Sequence, residues 1–68
     1  MNTATYTVTG MTCSHCVSSV TEEVEQIAGV TGVDVDLQTG RVTVTSETPI
    51  DDAAVKNAVE EAGYRLAS

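Results

Sequence analysis

An α+β sandwich, a four-stranded antiparallel sheet with two helices on one face, is predicted by three features of this sequence. Apolar and polar residues alternate in separate short stretches, the mark of half-buried strands. Two intervening stretches carry apolar residues at three- and four-residue steps, the mark of amphipathic helices. The resulting order is β-α-β-β-α-β, with one sheet face apolar and the other rich in threonine, which puts both helices on the same side.

The first strand is Thr3 to Thr9, where Ala4, Tyr6 and Val8 alternate with threonines. Gly10-Met11-Thr12-Cys13 breaks that pattern as a loop. From about Ser14 to Ala28, Val17, Val20, Val24 and Ile27 draw one stripe, and Glu22, Glu23 and Glu25 lie away from it. Ser14 is the candidate cap, and Gly29 suits the left-handed position past the helix end. Alternation resumes with Val33, Val35 and Leu37 inward and Asp34 and Asp36 outward. Gln38-Thr39-Gly40 then reads as a hairpin turn, Gly40 supplying a positive φ, and Val42 and Val44 alternate with threonines beyond it. Pro49 ends this strand because it has no N–H for a ladder. Asp51 caps a second helix to about Ala62, with Val55, Ala58, Val59 and Ala62 facing inward. Gly63 stops that helix, and Tyr64 to Ala67 form a short last strand. This is the split-βαβ, ferredoxin-like arrangement.

With 68 residues the chain makes one domain, residues 1–68. A domain of this size buries only about 60% of the surface of its unfolded chain. The core is therefore thin, and without Trp or Phe it is built from Val, Ile, Leu and Ala. No apolar run approaches the roughly 18 residues of a membrane span. Met1 to Thr5 shows no basic residue followed by an apolar block, so no signal peptide is expected and the predicted location is cytoplasmic. Ten acidic residues face three basic ones, a formal net charge of −7. Arg41, Lys56 and Arg65 are too few and too scattered to hold a phosphate backbone, which excludes nucleic-acid binding. The acidic surface serves solubility or steers the protein towards a basic partner.

Two cysteines cannot build a multi-bridge secreted framework, and a bond between neighbours this close closes almost no loop. Cys13-Ser14-His15-Cys16 is the one cluster of reactive side chains. Cys13 falls in the loop after the first strand and Cys16 in the first helical turn, where unpaired N–H groups and the helix dipole favour a thiolate. Two thiolates with an open approach from solvent make a soft, low-coordinate site suited to Cu(I). Structural zinc needs four ligands, and this chain offers at most Cys13, Cys16 and His15. Thiol–disulfide redox chemistry also uses CxxC at a helix start, but here no aromatic residue adjoins the motif and the only proline is Pro49. The remaining alternative, cysteines held as small core hydrophobes, fits poorly beside Thr12, Ser14 and His15.

Gly10-Met11-Thr12-Cys13-Ser14-His15-Cys16 resembles the GMTCxxC motif of heavy-metal-associated domains. Gly29-Val30-x-x-Val33-x-Val35 and Glu60-Glu61-Ala62-Gly63-Tyr64 resemble later segments of that family, so the likeness covers nearly the whole chain. It is nearest to the bacterial copper chaperones of the CopZ type. The resemblance implies a non-enzymatic carrier that holds one Cu(I) through Cys13 and Cys16. The ion then passes to the soluble domain of a copper-transporting P-type ATPase. The implied carrier is a monomer without metal that is able to form a copper-bridged dimer, and it does not insert into membranes. Met11 is expected to anchor the loop rather than to bind metal. Tyr64 either shields the site or fills a core short of aromatics. His15 is either a tolerant exposed position or a residue that tunes the thiolates. Two related readings stay open: a metal-binding domain cut from the N-terminus of a transport ATPase, and a carrier for Hg(II), Zn(II) or Cd(II). The lack of a carboxylate between Gly10 and Cys16 and of an export signal puts Cu(I) first.

Overall fold

A computed structural model describes residues 1–12 and 14–67. The elements run β1 (Asn2–Thr9), α1 (Ser14–Glu25), β2 (Val30–Asp36), β3 (Arg41–Ser46), α2 (Asp52–Glu61) and β4 (Arg65–Leu66). The strands form one sheet in the order β2-β3-β1-β4, every neighbouring pair antiparallel. This is the predicted ferredoxin-like α+β fold.

The register explains the two faces. Opposite residues share a face, so Ala4–Val44, Tyr6–Val42, Val33–Val44 and Val35–Val42 build the inner side. The pairs Thr3–Thr45 and Thr5–Thr43 build the outer one. Val42 and Val44 are fully buried, as are Val20 and Val24 of α1 and Val55 and Val59 of α2. Each such side chain contributes about 1.5–3 kcal/mol through removal from water. β-branched residues are mediocre helix formers. The valine-bearing helices are therefore held chiefly by this shared core rather than by propensity.

Helix α1 ends at Glu25, earlier than the apolar stripe suggests. Its last turn carries Glu22, Glu23 and Glu25 and no basic residue, which the negative end of the helix dipole disfavours. The next two residues make shorter-range bonds, Gln26 N–H to the Glu23 carbonyl and Ile27 N–H to the Val24 carbonyl. Ile27 still packs against the core from outside the helix. Ser14 is itself the first helical residue rather than the cap predicted for it. Asp51 caps α2 as expected, its carboxylate accepting the Ala53 N–H at 2.9 Å.

Strand β2 closes one residue early. Asp36 accepts the Gln38 N–H on its side chain and the Gly40 N–H on its carbonyl, which locks a turn over residues 37–40. Leu37 therefore leaves the inner face and is 37% exposed, against the inward position predicted for it. Gly40 takes φ 75°. A Cβ there would lie 2.6 Å from the Val8 carbonyl oxygen, and the Gly40 carbonyl accepts the Val8 N–H at 2.7 Å. The hairpin turn is thus strapped to the end of β1. Strand β4 is only two residues long, pairing with Val8 and Thr9. At the opposite end of the sheet, buried Ser46 donates its hydroxyl to the Gly29 carbonyl, tying β3 to the α1–β2 connection.

Candidate metal centre

β1 delivers the chain to a loop at one end of the sheet, and α1 begins directly after it. Cys16 lies in the first turn of α1, which contains no acidic side chain. The positive end of the helix dipole is therefore not neutralised by a side chain in that turn. Cys16 is buried, at 9% exposure. The open approach expected for both sulfurs does not hold for this one. The reason is periodic: Cys16, Val20 and Val24 follow at four-residue steps, so Cys16 is the first residue of the buried stripe. Cys13, the other predicted ligand, lies outside the described residues.

The remaining predicted residues divide clearly. Met11 is half-buried and packs against the core cluster, the placement expected of a loop anchor. His15 is exposed, and its backbone carbonyl accepts the Ser19 hydroxyl at 3.1 Å. Tyr64 is half-buried and packs against the core, its backbone N–H bonded to the Val59 carbonyl. Its ring also covers the start of the loop, since a Cβ on Gly10 would stand 3.2 Å from Tyr64 Cδ1. The two roles weighed for Tyr64 thus share one position: its ring fills the core and roofs Gly10.

The structure also brings in a segment that sequence reasoning did not connect with the loop. The β2–β3 turn and the α2–β4 connection flank the end of β1, the first through Val8–Gly40 and the second through Gly10–Tyr64. Three connections therefore meet at the end of the sheet where the CxxC loop begins. Strand register alone produces that meeting, and no local motif announces it.

Residues 5–65 match the family model described as heavy-metal-associated domain. A copper chaperone CopZ of Staphylococcus aureus (strain JH9) is 40% identical over 58 residues, covering 84% of this chain and 85% of that protein. Among solved structures, a CopZ metallochaperone superposes with a TM-score of 0.90 at 34% identity, covering 97% of this chain and all of that one. The copper binding domain from HMA7, a P-type ATPase, gives a TM-score of 0.88 at 28% identity, covering 100% and 96% of the two chains. The sequence motif, the βαββαβ sheet and these likenesses agree, and the chain belongs to the heavy-metal-associated domain family.

Proposed function

We propose that this protein is a cytoplasmic copper chaperone that holds one Cu(I) between Cys13 and Cys16 and hands it to the soluble domain of a copper-transporting P-type ATPase. The observation that carries the reading is the position of Cys16, in a helical first turn free of acidic side chains and three residues after Cys13. Likeness to proteins named as copper chaperones supports the same cargo. Two sulfur ligands leave the ion under-coordinated, so an incoming thiolate forms a third Cu–S bond. One bond to Cys13 or Cys16 then breaks, the ion keeps its charge, and the released thiolate takes up a proton from solvent. No oxidation accompanies the exchange. Burial of Cys16 makes it the retained partner for most of this sequence, with Met11 and Tyr64 fixing the loop around it. His15 is exposed and is assigned no ligand role.

Competition of the reduced protein against a strong chromogenic Cu(I) chelator tests the proposal. One-to-one uptake that is lost in both Cys13→Ser and Cys16→Ser is the expected result. Undiminished uptake in either variant would remove the dithiolate site, and preferential retention of Zn(II) or Hg(II) would change the cargo. The likeness to an ATPase copper-binding domain supports a second reading, in which the same site is the receiving end of the transfer. The complete open reading frame of the gene separates the two.

A further inference from the structure

The support of β1 changes character just before the loop. Its pairing with β3 stops at Thr7–Arg41, where β3 begins. Val8 is nevertheless still held on that side, because its N–H donates to the Gly40 carbonyl of the β2–β3 turn at 2.7 Å. On the other side β4 pairs with Val8 and Thr9, and the Ala67 N–H reaches the Thr7 carbonyl at 2.7 Å. The Gly40 bond thus carries the hold on β1 one residue past the end of the β1–β3 ladder. Only Thr9, Gly10, Met11 and Thr12 then separate Val8 from Cys13.

The turn that offers this bond is itself well fixed. The Gly40 N–H goes to the Asp36 carbonyl at 2.8 Å, the Asp36 carboxylate accepts the Gln38 N–H at 3.0 Å, and Thr39 Oγ1 accepts the Arg41 N–H at 3.3 Å. Gly40 also lies closer to β1 than a residue with a side chain could. A Cβ there would stand 2.6 Å from the Val8 carbonyl oxygen, whereas ordinary contact begins near 3.4 Å. Any side chain at this position must push the turn and the end of β1 apart.

We propose that Gly40 is a positioning residue of the metal centre. By bonding Val8 and by leaving room for its carbonyl, it sets the direction in which β1 enters the CxxC loop, and so how closely the loop fits the ion. This rests on the carrier reading and adds a determinant that acts through Val8 rather than as a ligand. Residues that orient metal ligands without binding the metal typically change its affinity 10- to 100-fold when mutated. Here the influence passes through a short stretch of backbone, so the lower end of that range, about ten-fold, is expected.

Two substitutions in the full chain separate the push on β1 from backbone strain. Gly40→Ala adds a Cβ and places alanine at φ 75°, whereas Gly40→Asn adds the same Cβ on a residue that tolerates a left-handed φ. Asp51→Ala is the control, since it weakens the fold by removing the α2 cap at the other end of the sheet. Cu(I) affinity is measured by chelator competition at a temperature where thermal unfolding shows each reduced protein to be folded. Both Gly40 variants are expected to bind Cu(I) about ten-fold more weakly than wild type, although Gly40→Asn is the more stable of the two. Asp51→Ala is expected to keep wild-type affinity. Wild-type affinity in folded Gly40→Asn would overturn this inference and leave the carrier reading standing. So would a loss in Asp51→Ala as large as that in the Gly40 variants, because affinity would then merely follow stability. A wild type that takes up no Cu(I) would overturn the carrier reading and this inference with it.

Discussion

The Tyr6 hydroxyl donates to Asp52 Oδ1 at 2.6 Å, joining the middle of β1 to the first turn of α2, and its removal has a pH-dependent consequence with a definite sign. Burial, followed by the hydrogen bond to Asp52 and the negative charges of Asp52 and Asp51, pushes the Tyr6 phenol up to about 12 from 10.0. Hydrogen bonds to charged groups are worth about 1.5–3 kcal/mol. Asp52 is exposed and regains water when the bond is cut, so Tyr6→Phe is expected to cost about 1 kcal/mol at pH 7. That corresponds to roughly 4–8 °C in Tm for a domain of this size. Above pH 10 the unfolded chain loses the phenolic proton while the folded one keeps it, so wild-type stability falls as pH rises towards 12. At full value the separation is worth about 2.7 kcal/mol; screening by solvent around the exposed acceptor reduces it to about 1–2 kcal/mol. The phenylalanine variant has no such group. Its deficit should therefore shrink through pH 10 and approach or cross zero near pH 11.5. Urea unfolding of both proteins from pH 7 to 11.5 measures this difference, in which groups common to both proteins cancel. A deficit that stays constant or grows with pH would refute the raised Tyr6 phenol.

Gly40→Ala is expected to cost about 2 kcal/mol or more, because the new Cβ meets the Val8 carbonyl and the residue must keep φ 75°. Hydrogen exchange of the Val8 amide reports whether the turn has lifted. Asp51→Ala should remove about 1 kcal/mol by leaving the Ala53 N–H without its cap, and Asp51→Asn should restore most of it in chemical denaturation.

The fold was readable because each local pattern agreed with the others, and the deviations have local causes. The apolar stripe continues to Ile27, but the helix ends at Glu25, where three acidic residues and no base stand at the negative end of its dipole. Leu37 sits where alternation points inward, but the Asp36 turn bonds end the strand first. At the site, Cys13 and Cys16 stood out as contiguous chemistry, and Met11 was legible as an apolar residue in a polar loop. The burial of Cys16 was equally present, in its four-residue spacing from Val20 and Val24, but it is visible only when the cysteine is counted with the valines. The approach of the β2–β3 turn to the loop depends on pairing between residues more than thirty positions apart, such as Thr7 with Arg41, and so on tertiary register.

The chain has two tyrosines and neither Trp nor Phe, and the fold sends them to different duties. Tyr6 packs in the core with its hydroxyl bonded to Asp52 of α2, while Tyr64 lies across Gly10 at the end where the CxxC loop starts. Ultraviolet absorption and emission therefore come from one ring that senses the integrity of the fold and one that senses the loop. With no indole to drain its excitation, Tyr64 becomes the sole emitter once Tyr6 is replaced by phenylalanine. The protein thus carries a native optical probe beside Gly10, and changes at the start of the CxxC loop can be followed in solution without attaching a dye.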